Sequence, residues 1–336
     1  MGARTMATAA AGSRNGILAI VALATAVLAG AGVPAQAQPA YPERPLRLVI
    51  PLGAGGIGDV AARVLAEGLS KRLGQSVIVE NRPGGAGIPA AREVLNAAPD
   101  GHTLAMLSNG SAASVSLVKN FFDPINDFAP VSTIAYFDFL LAVNAASAYK
   151  SPADIIAAAR AQRGGLNGGS AAHGTTGNLV AELFKQSTGA DLTIVTYRNA
   201  ADRTVGLLRN DVAVLFDTYL VFKPQLDSGE FRAIASTTSK RSSWLPQVPT
   251  AMETGLKDFE VTSWNAIFVH ASTPPAIIAR LNREITAVLG DAAVIGRLRG
   301  LGLEAGASTP EQLGARFKSD IVKWAKVIKA AGIVTK

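Results

Sequence analysis

The feature that most constrains this chain is a pattern written twice: a glycine-rich loop, an amphipathic helix, a glycine that ends the helix, and a β-rich strand. The first copy starts at Gly53-Ala54-Gly55-Gly56-Ile57-Gly58. It continues through a helix over Asp59 to Leu73, with Val60, Val64, Leu65 and Leu69 on one face, to Gly74 and the strand Val77-Ile78-Val79. The second starts at Gly168-Gly169-Ser170-Ala171-Ala172-His173-Gly174-Thr175-Thr176-Gly177-Asn178, opens a helix over Leu179 to Gln186, and reaches Gly189 and the strand Leu192-Thr193-Ile194-Val195. In each copy a glutamate, Glu67 or Glu182, stands seven residues before the closing glycine. A strand over Leu46 to Ile50 precedes the first copy, and a second glycine-rich turn, Arg82 to Gly87, leads into a helix around Ala90 to Leu95.

This alternation of strand and helix predicts an α/β protein with parallel strand neighbours. The length of 336 residues, 49% of them hydrophobic and 17% charged, suits about two domains with sizeable cores. The repeated pattern places domain 1 over 38–141 plus 267–336 and domain 2 over 142–266. Phe139 to Val143 and Trp264 to Val269 are then the two crossings, and two crossings make a hinge. Further helices are announced by Ser151-Pro152, Thr273-Pro274 and the capping box Thr309-Pro310-Glu311-Gln312. After the last, Leu313, Phe317, Ile321, Trp324 and Ile328 form a stripe of period 3.6, the signature of core packing.

Residues 1–37 read differently. Arg4 and Arg14 precede an uncharged run from Gly16 to Ala37 that ends in Ala35-Gln36-Ala37, the order of a cleavable secretory signal peptide. The run is long enough to span a bilayer, but its Ala- and Gly-rich second half and Pro34 favour cleavage after Ala37 over a retained anchor. Removing both arginines and no acid takes the formal charge from +7 to +5, spread without a block of like charges. That distribution speaks against nucleic acid and mildly for anionic small molecules. The chain has no cysteine, which excludes a lipoprotein anchor, disulfides and cysteine-based zinc or redox sites.

The first loop spells G-x-G-x-x-G, and Glu80, 27 residues after Gly53, stands near where a ribose-binding acid would be. Three features oppose a dinucleotide. Asp59 puts a carboxylate where the pyrophosphate would lie, Pro51-Leu52 separates the strand from the glycines, and an exported protein rarely meets nicotinamide cofactors. Asp59 reads instead as the helix N-cap. Glycines bare the backbone N–H groups, and a helix N-terminus binds carboxylate without a charged side chain. Two such loops on two hinged domains would grip an anion from both sides.

Catalytic readings are weaker. Gly168-Gly169-Ser170-Ala171-Ala172 lacks the final glycine of a G-x-S-x-G nucleophile elbow, so a secreted hydrolase using Ser170 remains a remote alternative. His102, His173 and His270 have no metal-binding spacing. Asp138, at the first crossing, reads as a strand-end carboxylate, with contact to a ligand ammonium as the other reading.

Several short motifs carry a family resemblance. They are Tyr41-Pro42-Glu43-Arg44-Pro45, the loop from Pro51 to Asp59, Val79-Glu80-Asn81-Arg82-Pro83-Gly84, and Pro99-Asp100-Gly101-His102-Thr103-Leu104. Asp127-Phe128-Ala129-Pro130-Val131-Ser132, Pro246-Gln247-Val248-Pro249-Thr250 and Trp324-Ala325-Lys326-Val327-Ile328 complete the set. With them, the whole chain from Tyr41 onward resembles the periplasmic solute receptors of tripartite tricarboxylate transporters, the Bug family. The resemblance implies a type II periplasmic-binding-protein clamshell with mixed, mostly parallel sheets, flanking helices and a discontinuous first domain. It implies a monomer in the periplasm that needs no cofactor, is not an enzyme, and hands a small carboxylate (di- or tricarboxylic, aromatic or amino acid) to membrane permease subunits. A receptor feeding a sensor kinase is the alternative.

Carried over residue by residue, the resemblance implies that Gly53, Ala54, Gly56 and Gly58 frame one carboxylate pocket, with Ser108 and Asn109 along the cleft wall. Ser170, Ala171, Gly174, Thr175 and Thr176 would supply the other pocket, with Tyr197 and Asp217 on adjoining strand ends. Gly58, Asn178, Thr196, Asn199 and the pair Phe137-Asp138 depart from the family pattern. The lost hydroxyl at Gly58 would open room, and Phe137, Phe139 and Tyr219 would suit a bulkier or aromatic acid.

Overall fold

A computed structural model describes residues 1–3, 41–84, 87–118, 122–172, 175–242 and 244–333. The signal-peptide reading and His173 and Gly174 therefore lie outside the described residues. Residues Pro42–Lys336 form one compact unit.

The chain enters on β1 (Leu46–Ile50), whose leucines are fully buried. Helix α1 (Ile57–Leu73) follows, capped by Gly56 and closed by Gly74 in the left-handed region at φ 68°. The helix starts before Asp59, so Asp59 lies in its first turn and is not its cap. β2 (Val77–Asn81), α2 (Ile88–Leu95), β3 (Thr103–Ser108) and α3 (Asn109–Leu117) complete the first run. β4 (Phe128–Asn144) then extends for 17 residues.

A second run contains α4 (Pro152–Ala161), β5 (Leu166–Ser170), α5 (Thr176–Thr188), β6 (Leu192–Thr196), α6 (Ala200–Leu208), β7 (Val214–Thr218), α7 (Tyr219–Asp227) and β8 (Phe231–Ser236). β9 (Thr262–His270), α8 (Pro275–Leu289), α9 (Ala292–Arg299), β10 (Glu304–Ala305) and α10 (Pro310–Ala330) close the chain.

The strands run β2-β1-β3-β9-β4-β7-β5-β6, with β8 and β10 also paired to β4. The outer triplets β2-β1-β3 and β6-β5-β7 are parallel. The central pairings through β9 and β4 are antiparallel. β4 belongs to both groups: its residues Phe128 to Asp138 pair with β9, and Phe139 to Asn144 pair with β7 and β8. The expected first crossing at Phe139 to Val143 is therefore the second half of one long strand.

Glycines 168 and 169 were expected in a loop but lie inside β5. A Cβ on Gly169 would lie 2.8 Å from Leu215 and 3.1 Å from Val212, and one on Gly168 would lie 3.3 Å from Ile194. Their smallness admits the neighbouring core side chains, which periodicity alone does not reveal. The stripe on α10 docks largely as expected: Leu313, Phe317, Trp324 and Ile328 are buried, and Ile321 is half-buried. Phe317 packs edge-on against Trp264, with ring centroids 5.8 Å apart, and both halves of the Thr309–Gln312 capping box form.

Candidate functional site

Three helices begin around one cavity of about 460 Å³. Ile57 of α1, Ser108, Gly110 and Ser111 at the start of α3, and Thr175 and Thr176 at the start of α5 all line it. Each helix start carries a partial positive charge and backbone donors in excess of its own needs. Leu52, Leu117, Val118 and Phe137 supply apolar wall, and no charged side chain lines the cavity among the described residues. A positive potential without a cation, beside an apolar wall, suits a carboxylate on a hydrocarbon body.

Four polar side chains in this cavity, Ser111, Ser114, Ser263 and Asn265, escaped the sequence reading. Asn265 of β9 lines it, is 1% exposed, and has an Nδ2 group with no hydrogen-bond partner. It sits opposite Ser108 in the β3–β9 ladder. A buried unpaired amide N–H costs about 1–3 kcal/mol, which a ligand oxygen accepting from it would recover. In sequence Asn265 precedes the apolar run Ala266 to Val269, and only the ladder register brings it beside Ser108.

The expected residues divide into three sets. Ser108, Thr175 and Thr176 line the cavity. Gly53, Ala54 and Gly56 are exposed on the loop at its edge, where a Cβ on Gly53 would meet nothing within 4 Å. Ala171 is partly exposed beside Ser170. Gly58, Asn109, Ser170, Tyr197 and Asp217 lie outside the cavity lining, each committed to other contacts.

Gly58 is buried, and a Cβ there would collide with the Leu52 side chain and lie 3.1 Å from Met106. The room expected at Gly58 is thus filled by Leu52, which itself lines the cavity. Asn109 is buried behind the wall and donates to Asp320 at 3.4 Å. The Ser170 hydroxyl donates to the Ala171 carbonyl at 3.1 Å and accepts from Asn178 Nδ2 at 3.2 Å, a structural role and not that of a nucleophile. Tyr197 packs against Gly206. Asp217 forms a buried ion pair with Arg203, Oδ2 to Nε 2.6 Å, without hydrogen-bond alignment. Burial pushes the Asp217 carboxyl up and Arg203 opposes this. Of the three aromatics expected to face ligand, only Phe137 lines this cavity. Phe139 lies where a Cβ on Gly177 would come within 3.3 Å of it, and Tyr219 neighbours Trp244 with ring centroids 6.5 Å apart.

The dinucleotide features are consumed elsewhere. Glu80 accepts from Arg47 Nε at 2.7 Å and Nη2 at 2.9 Å, which holds its carboxyl below the usual range against the effect of burial. Asp59 is buried and accepts from the Gly55 N–H at 2.9 Å and from Asn81 Nδ2 at 2.9 Å. Burial opposes its ionisation, but Arg63, Gly55 and Asn81 together hold its carboxyl below the ordinary value. A pyrophosphate would meet this carboxylate. No group of three or more His, Asp or Glu side chains could hold a metal ion among the described residues.

Comparison with known proteins follows the same lines. Residues 61–333 match the family described as tripartite tricarboxylate transporter family receptor. The chain is 32% identical to Protein BugT of Bordetella pertussis over 319 residues, 94% of this chain and 97% of that one. Among solved structures it resembles Rpa4515 of R. palustris with adipate, with a TM-score of 0.78 and 36% identity over 88% of this chain and 100% of that one. It also resembles MatC of Rhodopseudomonas palustris with bound malate, with a TM-score of 0.74 and 30% identity over 86% and 100%.

Proposed function

The chain belongs to the tripartite tricarboxylate transporter receptors, and from that premise we propose that it is an exported receptor whose cavity at Ser108, Thr175 and Asn265 captures a small carboxylate for membrane permease subunits. Cleavage after Ala37 would release it into the periplasm. Two lobes, 38–141 plus 267–336 and 142–266, would close on the ligand about β4 and β9.

The observation that carries this reading is the convergence of three helix N-termini on a cavity without a charged side chain among its described lining residues, with one free amide donor inside it. Helix termini and amides satisfy a carboxylate, and the apolar wall favours an acid with a hydrocarbon body over a heavily hydroxylated one. The relatives solved with adipate and malate support a dicarboxylate as the first choice of probe.

Calorimetry on residues 38–336 with adipate, malate, citrate and benzoate is the test. One-to-one binding of at least one acid is expected, weakened tenfold or more by Asn265→Leu and abolished by Thr175→Trp. If none of the four binds, the carboxylate reading fails; if both variants bind as the wild type does, the site lies elsewhere. If the aliphatic acids all bind more tightly than benzoate, the preference for aromatic acids is ruled out.

A further inference from the structure

A second cavity, of about 410 Å³, lies beside the middle of β4. Phe137 lines both cavities, but its ladder partner Ser263 lines the first, whereas Tyr136, Asp138 and Thr262 line this one. Its remaining wall comes from two distant parts of the chain, residues 238–242 and Trp244 after β8 and Arg299 with Glu304 around β10.

Two of its polar groups lack partners. Asp138 is 1% exposed; its Oδ2 accepts from the Ser242 hydroxyl at 2.9 Å, but its Oδ1 has no partner. Trp244 Nε1 is likewise buried without an acceptor. The cavity thus offers one unpaired carboxylate oxygen and one unpaired N–H donor between aromatic walls, each carrying a desolvation cost that an occupant would relieve. The charges at the rim are mostly balanced. Arg241 pairs with Glu253 at 2.8 Å and Arg299 with Glu304 at 3.6 Å, which leaves Lys240 without a carboxylate partner among the described residues.

We propose that this cavity is a second ligand site, for a small zwitterion: an amino acid with an apolar side chain. Its ammonium would meet Asp138 Oδ1, its carboxylate would meet the indole N–H of Trp244 and the ammonium of Lys240, and its side chain would lie among Tyr136, Phe137 and Trp244. A simple anion leaves Asp138 unanswered, and a simple amine leaves Trp244 and Lys240 unanswered. The walls join the middle of β4 to segments on either side of it, so an occupant would also act on the strand about which the lobes are proposed to close. Any influence on the carboxylate cavity would be reciprocal.

The test titrates residues 38–336 with L-leucine and L-phenylalanine separately, in the wild type and in Asp138→Asn, Trp244→Phe and Asn265→Leu, with thermal melting to confirm folding. Expected is binding of at least one amino acid, weakened tenfold or more by Asp138→Asn, severalfold by Trp244→Phe, and less than twofold by Asn265→Leu. Removing the amine, with 3-phenylpropanoate in place of phenylalanine, should shift any binding to the cavity that Asn265→Leu impairs. The proposal is overturned if neither amino acid binds at millimolar concentration. It is equally overturned if binding withstands both Asp138→Asn and Trp244→Phe, or is lost in Asn265→Leu instead.

Discussion

Asp138 shows how much of a residue's chemistry depends on the face of the strand it occupies. Burial pushes its carboxyl up to about 6, against the opposing hydrogen bond from Ser242. Lys240, Arg241, Arg299 and Glu304 line the same cavity. Its folded pKa exceeds the unfolded one, so the folded chain holds the proton more tightly, and this group's contribution to stability falls as pH rises from about 4 through about 6. The interval between 3.8 and about 6 corresponds to roughly 3 kcal/mol at most. Asp138→Asn should therefore gain stability relative to the wild type as pH rises from 4 to 7, as read by urea denaturation across that range. A wild-type and variant difference that does not change with pH would mean that Asp138 is not held at a raised value. The sequence marked Asp138 as a carboxylate at a crossing, with contact to a ligand ammonium as its other reading. The loop that brings Ser242 to it, 104 residues away in sequence, is a long-range fact.

At the level of elements, local chemistry was legible and neighbour-dependent chemistry was not. The helix end at Gly74, the αL cap at Gly189 and the capping box at Thr309 were readable because each is decided within a few residues. β5 was misread because Asn167-Gly168-Gly169-Ser170 lacks strand-forming side chains; its strand state comes from parallel pairing with β6 and β7 on either side. Asn265 and the filling of Gly58 by Leu52 were hidden for the same reason, since ladder register and side-chain packing set both. The glycines of β5 offer a direct check. Gly169→Val should strike Leu215 and Val212 and cost about 1–3 kcal/mol by overpacking. Because Gly169 does not line the carboxylate cavity, ligand affinity of the folded variant should stay within about twofold of the wild type, an amount worth roughly 0.4 kcal/mol. A variant as stable as the wild type would mean that β5 does not pack as described. On α10, Phe317→Ala should cost about 3–5 kcal/mol in chemical denaturation, because its ring fills the contact with Trp264 and Phe268.

On the scale of the whole molecule, the parallel triplets β2-β1-β3 and β6-β5-β7 sit at the two ends of a sheet whose centre is shared through β4 and β9. Helix starts from both ends reach the carboxylate cavity, α1 and α3 from one and α5 from the other. If this cavity is the binding site, as proposed, capture would depend on fixed dipoles and amides and not on mobile cations, and the two mechanisms respond differently to salt. Surface cations lose their pull on an anion over a screening length of about 8 Å at physiological ionic strength, whereas desolvated contacts are screened much less. The net charge of the chain is +7 and would be +5 without residues 1–37, with no block of like charge, so its long-range attraction for a small anion is weak. The dissociation constant for the tightest carboxylate should therefore change by less than about threefold between 50 mM and 500 mM sodium chloride, a difference of roughly 0.65 kcal/mol. A tenfold or greater loss would place the carboxylate against surface lysines or arginines and remove the helix termini from its recognition. The same titration read by small-angle scattering should show the radius of gyration falling on saturation, because a ligand held between helix starts from both ends of the sheet favours the closed arrangement. An unchanged radius beside full calorimetric saturation would mean that this cleft binds without closing, as a rigid pocket of helix ends.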